Sequence, residues 1–163
     1  MRIFVISDTH VPERLRSLPD ELMERIMHGD VLFHCGDFTS IKLFEKLIKH
    51  PRFYGVLGNM DEFALRSVVP ERQIVEISGK RIGITHGSGS PSGLEQRVYS
   101  SFEEKPDVIL FGHSHNPYHK FINNTLMFNP GSFTGGWNSE PTYGELFIEG
   151  DRIWGEHYKI DIK

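Results

Sequence analysis

The apolar residues of this chain fall into short dense runs that alternate with helical stripes. Arg2 to Ile6 is a β-branched and aromatic run, apolar at odd and even positions alike, which predicts a strand covered on both faces. Leu18, Leu22, Met23, Ile26 and Met27 then recur at helical spacing, with start signals at Ser17 and Pro19 and a stop at Gly29. Val31 to His34 predicts a second buried strand. Ile41, Phe44, Leu47 and Ile48 form another helical stripe, with Ser40 as N-cap and Pro51 past its end, and Phe53 to Leu57 predicts a third strand. Gln73 to Ile77 and Lys80 to Thr85 flank Ser78-Gly79 as a hairpin. Ser92-Gly93-Leu94-Glu95 reads as a capping box opening a helix with Leu94, Val98 and Phe102 on one face. Val108 to Phe111 is one more buried strand.

After Gly112 the texture changes. Phe121-Ile122 and Leu126 to Phe128 flank Asn123-Asn124, and Gly144 to Glu149 and Arg152 to Tyr158 flank Gly150-Asp151, so two further hairpins are expected. The first two-thirds therefore reads βαβα and the last third antiparallel β, without repeats or linkers. The mixture predicts an α/β (α+β) fold in which two sheets pack together with helices outside. At 163 residues this is a single domain, 1–163.

The polar residues then acquire a pattern. The first strand ends in Ser7-Asp8-Thr9-His10, the second in His34-Cys35-Gly36-Asp37 and the third in Gly58-Asn59-Met60-Asp61. Two later strands end in Thr85-His86-Gly87 and Gly112-His113-Ser114-His115. Ligands of open α/β sheets bind outside the carboxyl ends of the strands. Five such ends here deliver Asp, Asn or His to one edge, and adjacent glycines let backbone turn and approach closely. Composition agrees: nine histidines stand against a single cysteine, so a metal bound here would meet imidazole and carboxylate rather than sulfur. Seven such donors exceed the need of one tetrahedral ion and fit two ions sharing a carboxylate. Two ions about 3.5–4 Å apart can clamp an in-line displacement at phosphorus, and a hydroxide bridging them would be a strong nucleophile at neutral pH.

Other function classes recede. No apolar run approaches the roughly 20 residues of a membrane span, and no signal peptide is evident at the start, so a cytoplasmic chain without membrane association is expected. A net charge of −4 argues against a broad nucleic-acid surface.

The residues Asp8-Thr9-His10, Gly36-Asp37, Gly58-Asn59, His86 and Gly112-His113-Ser114-His115, in that order, resemble the calcineurin-like metallophosphoesterases over residues 1 to about 132. The similarity is to the short single-domain branch that includes small phosphodiesterases and a retromer scaffold subunit. The resemblance implies a four-layer αββα sandwich of two mixed sheets flanked by helices. It implies that Asp8, His10 and His115 hold one metal, that Asn59, His86 and His113 hold a second, and that Asp37 bridges them. The ions implied are two divalent transition metals, manganese first, with iron, zinc or nickel as the others. Catalytic work would fall to Asp37, Asn59 and Asp61. Many members carry a histidine after the G-N asparagine, where it is thought to protonate the leaving group; here that residue is Met60. General-acid help is worth about 100- to 10,000-fold, so its loss favours a small phosphodiester over a monoester. Phosphomonoester hydrolysis, a non-enzymatic metal-binding scaffold, and an enzyme directed at cyclic or dinucleotide diesters are the other readings; oligomeric state stays open.

Blander readings accompany the remaining candidates. His34 is expected to sit in the core or to orient a ligand through a hydrogen bond, and Cys35 to pack unreactively. Asp61 either orients the loop or only makes a turn. Asn129-Pro130-Gly131-Ser132 is a turn by composition, and the resemblance places it near the metals. Gly87 either admits a substrate phosphate or only ends a strand. His28, His50, His119 and His157 have no motif around them, and His28 and His50 are expected on the surface at helix ends. Phe133, Trp137 and Tyr143 read as core rather than pocket lining. Arg14, Arg66 and Lys120 are candidate phosphate clamps against a default of solvated charge.

Overall fold

The computed structural model describes residues 1–10 and 19–161. The predicted buried strands form β1 (Ile3–Ile6), β2 (Val31–His34) and β3 (Phe53–Gly55), all parallel. Helices α1 (Asp20–Met27) and α2 (Ile41–Leu47) lie between them in sequence, and Ser40 caps α2 by accepting from the Leu43 N–H. The hairpin β4 (Arg72–Ile77) and β5 (Lys80–Thr85) is followed by α3 (Leu94–Ser100), β6 (Val108–Leu110), and the hairpin β7 (Tyr118–Ile122) and β8 (Thr125–Asn129). The chain closes with β9 (Thr142–Glu149) and β10 (Arg152–Lys159).

These strands make two mixed five-stranded sheets, ordered β10-β9-β1-β2-β3 and β4-β5-β6-β8-β7. Strand periodicity explains the layering. Ile3 and Val5 face the second sheet, where they meet Ile82, Ile84, Val108 and Phe128 in one cluster. Phe4 and Ile6 point the other way, into a cluster with Leu22, Met23 and Ile26 of α1 and Leu43 and Leu47 of α2. On the far side, Ile109 and Met127 pack with Leu94 and Val98 of α3. Three apolar layers therefore separate four layers of structure, in the order α, β, β, α. No helix among the described residues is long and apolar enough to cross a membrane.

Both hairpins expected in the last third form, β7 with β8 and β9 with β10, and they join different sheets, β9 beside β1 and β8 parallel to β6. Three expectations need correction. Ser92 does not cap α3. Gly93 occupies the cap position at φ 73° with no side-chain cap bond, and Arg97 instead reaches back to the carbonyls of Ser88, Ser90 and Ser92. His50 is buried rather than on the surface, because one ring nitrogen meets the Gly29 carbonyl and the other accepts the Arg52 N–H. Phe133 and Tyr143 are core as expected, but Trp137 is 99% exposed. Arg14, Ser17 and Leu18 lie outside the described residues.

Phe128 locks the two sheets together. Its ring leaves no room for a Cβ at Gly144 or Gly155 on the C-terminal hairpin and stacks on His157 at 4.6 Å. Phe128→Ala is expected to cost about 3–5 kcal/mol, read as a lowered urea midpoint. A loss under about 1 kcal/mol would show that the sheets close over the vacated space.

Candidate metal centre

Six parallel strand ends converge at one edge. β1, β2 and β3 of the first sheet release the loops carrying Asp8, His10, Asp37 and Asn59. β5, β6 and β8 of the second sheet are mutually parallel and release His86, the His113–His115 segment, and the Asn129–Ser132 turn.

The two carboxylates lie at the middle, fully or nearly fully buried. Each uses one oxygen to anchor itself. Asp8 Oδ2 accepts from the Ser7 hydroxyl at 2.6 Å and the His113 N–H at 3.2 Å. Asp37 Oδ1 accepts from the Met60 N–H at 2.8 Å. The other oxygens face imidazoles. Asp8 Oδ1 is 3.3 Å from His115 Nε2, 3.7 Å from His10 Nε2 and 3.8 Å from His86 Nε2. Asp37 Oδ2 is 3.3 Å from His86 Nε2 and 3.7 Å from His10 Nε2.

The histidines form two edge-on pairs, His10 with His115 and His86 with His113, each with ring centroids 5.3 Å apart. Asn59 joins the second pair: its Oδ1 lies 3.0 Å from His86 Nε2 and 3.3 Å from His113 Nδ1. His86 Nδ1 donates to the Cys35 carbonyl at 2.6 Å, which turns Nε2 toward the carboxylates. All seven sequence candidates are thus brought together. Asp8, His10 and His115 form one compact donor group, and Asp8, Asp37 and His86 form another. Asp8 belongs to both groups, while Asp37 touches His10 of one pair and His86 of the other.

Whether these residues suit a cation is tested by their own atoms. Asp8 Oδ1 and His10 Nε2 are buried and have no hydrogen-bond partner among the described residues, a condition shared only with Ser139 Oγ. Unpaired buried polar atoms are costly, and here they belong to a carboxylate and an imidazole aimed at each other's neighbourhood. Electrostatics agree. Burial pushes Asp8 upward, but the imidazoles of His10 and His115 and the charge of His86 hold it well below its ordinary range. Burial pushes His86 down, yet Asp37 and Asp8 outweigh it and raise it to about 9. The centre therefore holds positive charge strongly, and the donor set fits divalent ions of borderline hardness.

Backbone strain marks the same residues. Among the described non-glycine residues, positive φ occurs at Asp8, His10, Asp37, Thr39, His113 and His115, with Ser78 and Asn123 in hairpin turns accounting for the rest. Five of these are among the seven candidate donors. A left-handed backbone costs about 1–3 kcal/mol for such residues and persists where surrounding contacts hold it.

Those contacts include residues the motifs left open. Asp61 accepts from the amides of Gly58, Asp37 and Thr39, so it ties two donor loops together rather than merely making a turn. Burial raises its pKa, against the pull of the Gly58 and Thr39 amides. His34 accepts the Gly36 N–H, meets the Thr9 hydroxyl at 3.2 Å and stacks on Phe38. Asn129 Nδ2 donates to the Gly112 carbonyl, and Ser132 Oγ donates to the Asp8 carbonyl. The sequence reading gave the Ser7 hydroxyl no role and placed Ser132 only within a turn near the metals, since a serine beside a turn carries no signal of its own. Gly58 is required by close approach, because a Cβ there would strike the Asp37 carboxylate. Cys35 is buried, and burial pushes its thiol up, as expected of an unreactive residue. His28 is exposed at its helix end, and His119 and His157 serve the β hairpins. Lys120 lies over Tyr118 on edge strand β7, away from the centre. A cleft of about 330 Å³ opens beside Asn59 and His86 and includes Gly87 and Arg66 in its wall.

Comparison with known proteins agrees with this geometry. The profile of the calcineurin-like phosphoesterase superfamily domain matches residues 1–151. A protein of Methanothermobacter thermautotrophicus named as a probable metallophosphoesterase is 32% identical over 158 residues, covering 96% of this chain and 91% of the relative. A phosphodiesterase of Methanocaldococcus jannaschii is 29% identical, covering 91% and 94%. Among solved structures, vacuolar protein sorting 29 of Cryptosporidium parvum superposes with a TM-score of 0.82 at 23% identity, covering 98% and 91%; that likeness concerns the fold.

The site also predicts a pH response of the metal-free protein. Burial lowers His34 from 6.5 to about 3. The unfolded chain therefore binds one more proton than the folded chain between those values. Stability from this group is complete above pH 6.5 and is lost as pH falls toward 3. Replacing His34→Gln is expected to reduce the slope of stability against pH by up to about 1.4 kcal/mol per pH unit between pH 6 and 4, read from urea midpoints. An unchanged slope overturns the assignment of a buried neutral imidazole.

Proposed function

The chain belongs to the calcineurin-like phosphoesterase superfamily, and on that premise we propose that it is a dinuclear-metal phosphodiesterase. The observation that carries this reading is the donor set: two buried carboxylates between two histidine pairs, with donor atoms left unpartnered at their meeting point. Asp8, His10 and His115 would hold one ion, Asn59, His86 and His113 the other, and Asp37 would span both. Two divalent ions bound there, with manganese the first choice and iron, zinc or nickel the others, would supply charge to the phosphoryl oxygens and an ionised water at neutral pH.

The chain's own residues divide the remaining work. Asp8 and Asp37 each fix one oxygen on the scaffold and leave the other for the centre. Asp61 is a positioning residue, acting through the Asp37 and Gly58 amides. Met60 is 60% exposed and has no proton to give, so no side chain at that position assists the leaving group. This favours diesters with good leaving groups, and the phosphodiesterase of Methanocaldococcus jannaschii supports the same class.

Metal-stripped protein is expected to be inactive, and manganese to restore hydrolysis of bis(4-nitrophenyl) phosphate in preference to 4-nitrophenyl phosphate. Asp37→Asn is expected to lose about 100-fold or more in kcat/KM, since a metal supplies several kcal/mol of charge stabilisation. Failure of every divalent metal to restore activity, or full activity in Asp37→Asn, overturns the reading. Met60→His is expected to raise monoester turnover by about tenfold or more if that position governs leaving-group protonation; no gain removes Met60 as the source of the diester preference.

A further inference from the structure

The cleft of about 330 Å³ shares two wall residues with the candidate centre, Asn59 and His86. Its lining is also cationic: Arg66, Arg72 and Arg97 border it against one carboxylate, Glu71. The chain as a whole carries a net charge of −4, so this concentration is local and opposes the general balance.

The three guanidiniums are not equivalent. Arg97 donates to the carbonyls of Ser88, Ser90 and Ser92 and holds the loop before α3. Arg72 donates to the Ser101 carbonyl at 2.5 Å and lies 5.0 Å from the Phe102 ring centroid. Folding explains where these two are, and they act as fixed positive charge. Arg66 is different. It stands on the short 3-10 turn Phe63–Ser67, anchored from below by buried Leu65. Its guanidinium rests 5.9 Å from the Phe63 ring centroid, and no hydrogen bond or ion pair engages it among the described residues. No described residue accepts a hydrogen bond from its five donors, yet they border a cleft that shares Asn59 and His86 with the centre.

We propose that this cleft seats a second anionic group on one arm of the substrate, with Arg66 as its principal contact, so that the preferred diesters carry a further phosphate. The inference rests on the phosphodiesterase reading and extends it to specificity. A guanidinium suits phosphate because its planar fork offers paired donors, and flanking fixed charges raise the local anion concentration. The cleft volume is that of a small-ligand site. The cleft shares Asn59 and His86 with the centre, so an arm attached to a phosphate at the centre has the cleft beside it.

The test uses a matched chromogenic pair, the 4-nitrophenyl ester of thymidine 5′-phosphate with and without a 3′-phosphate. The leaving group is the same, so the comparison reads the retained arm alone. The intact manganese-loaded protein is expected to prefer the 3′-phosphorylated ester by about tenfold or more in kcat/KM, expressed mainly in KM, the scale of one charge-assisted contact. Arg66→Ala is expected to bring that ratio to within about twofold of unity, and Arg66→Lys to restore part of it. Equal kcat/KM for the two esters in the unmodified protein overturns this inference and leaves the phosphodiesterase reading standing. A preference that survives Arg66→Ala overturns the role of Arg66. Hydrolysis of neither ester, nor of bis(4-nitrophenyl) phosphate, overturns the parent reading and this one with it.

Discussion

Two carboxylates kept out of water govern the architecture of this protein's working edge. A buried charge is tolerable only with a partner, and among the described residues the charged partners of Asp8 and Asp37 are imidazoles rather than lysine or arginine. Each anchors one oxygen on a hydroxyl or backbone amide and turns the other toward imidazoles, and Asp8 Oδ1 has no hydrogen-bond partner among the described residues. The rest follows from that division. The loops must deliver amides to one side of each carboxylate and nitrogen donors to the other, within a few ångströms, from six different strand ends.

That delivery explains the backbone. An ordinary extended exit from a strand would carry the side chain over the sheet edge. A left-handed residue turns the chain sharply, and five donors adopt that conformation themselves. Glycine would be easier at each position, but glycine has no ligand to offer, so the strain falls on the functional residue. Asp61, His34, Asn129 and Ser132 then hold the strained loops by hydrogen bonds to backbone. Their contribution is geometric, and their removal would act through the donors rather than on them.

Much of this was legible in the sequence, for identifiable reasons. Runs such as Ile3–Ile6 and Val31–His34 are apolar on both faces because both faces are covered, and that pattern survives reading without coordinates. The convergence of the seven candidates was legible because each lies in the loop that follows such a run. What stayed hidden depends on contacts distant in sequence. The pairing of β9 with β1 joins the two ends of the chain, and no local pattern announces it. His50 looked like a helix-end surface residue until the Gly29 carbonyl, 21 residues earlier, was found against its ring. The Ser92 cap failed because a left-handed Gly93 supplied a different entry into α3. Arg66 was one of three equivalent basic candidates, and only its neighbours in space single it out from Lys120.

The two sheets contribute unequal halves of the centre. The first supplies Asp8, His10, Asp37 and Asn59; the second supplies His86, His113 and His115. Neither half contains both a complete histidine pair and its carboxylate: His10 waits for His115, and His86 waits for Asp37. A chain in which only one sheet has formed therefore offers an incomplete cage to any ion it meets. The complete donor groups that could hold a cation exist only where the two sheets are docked. Binding of a cation there would report on the finished sandwich, at the seam where its two faces meet.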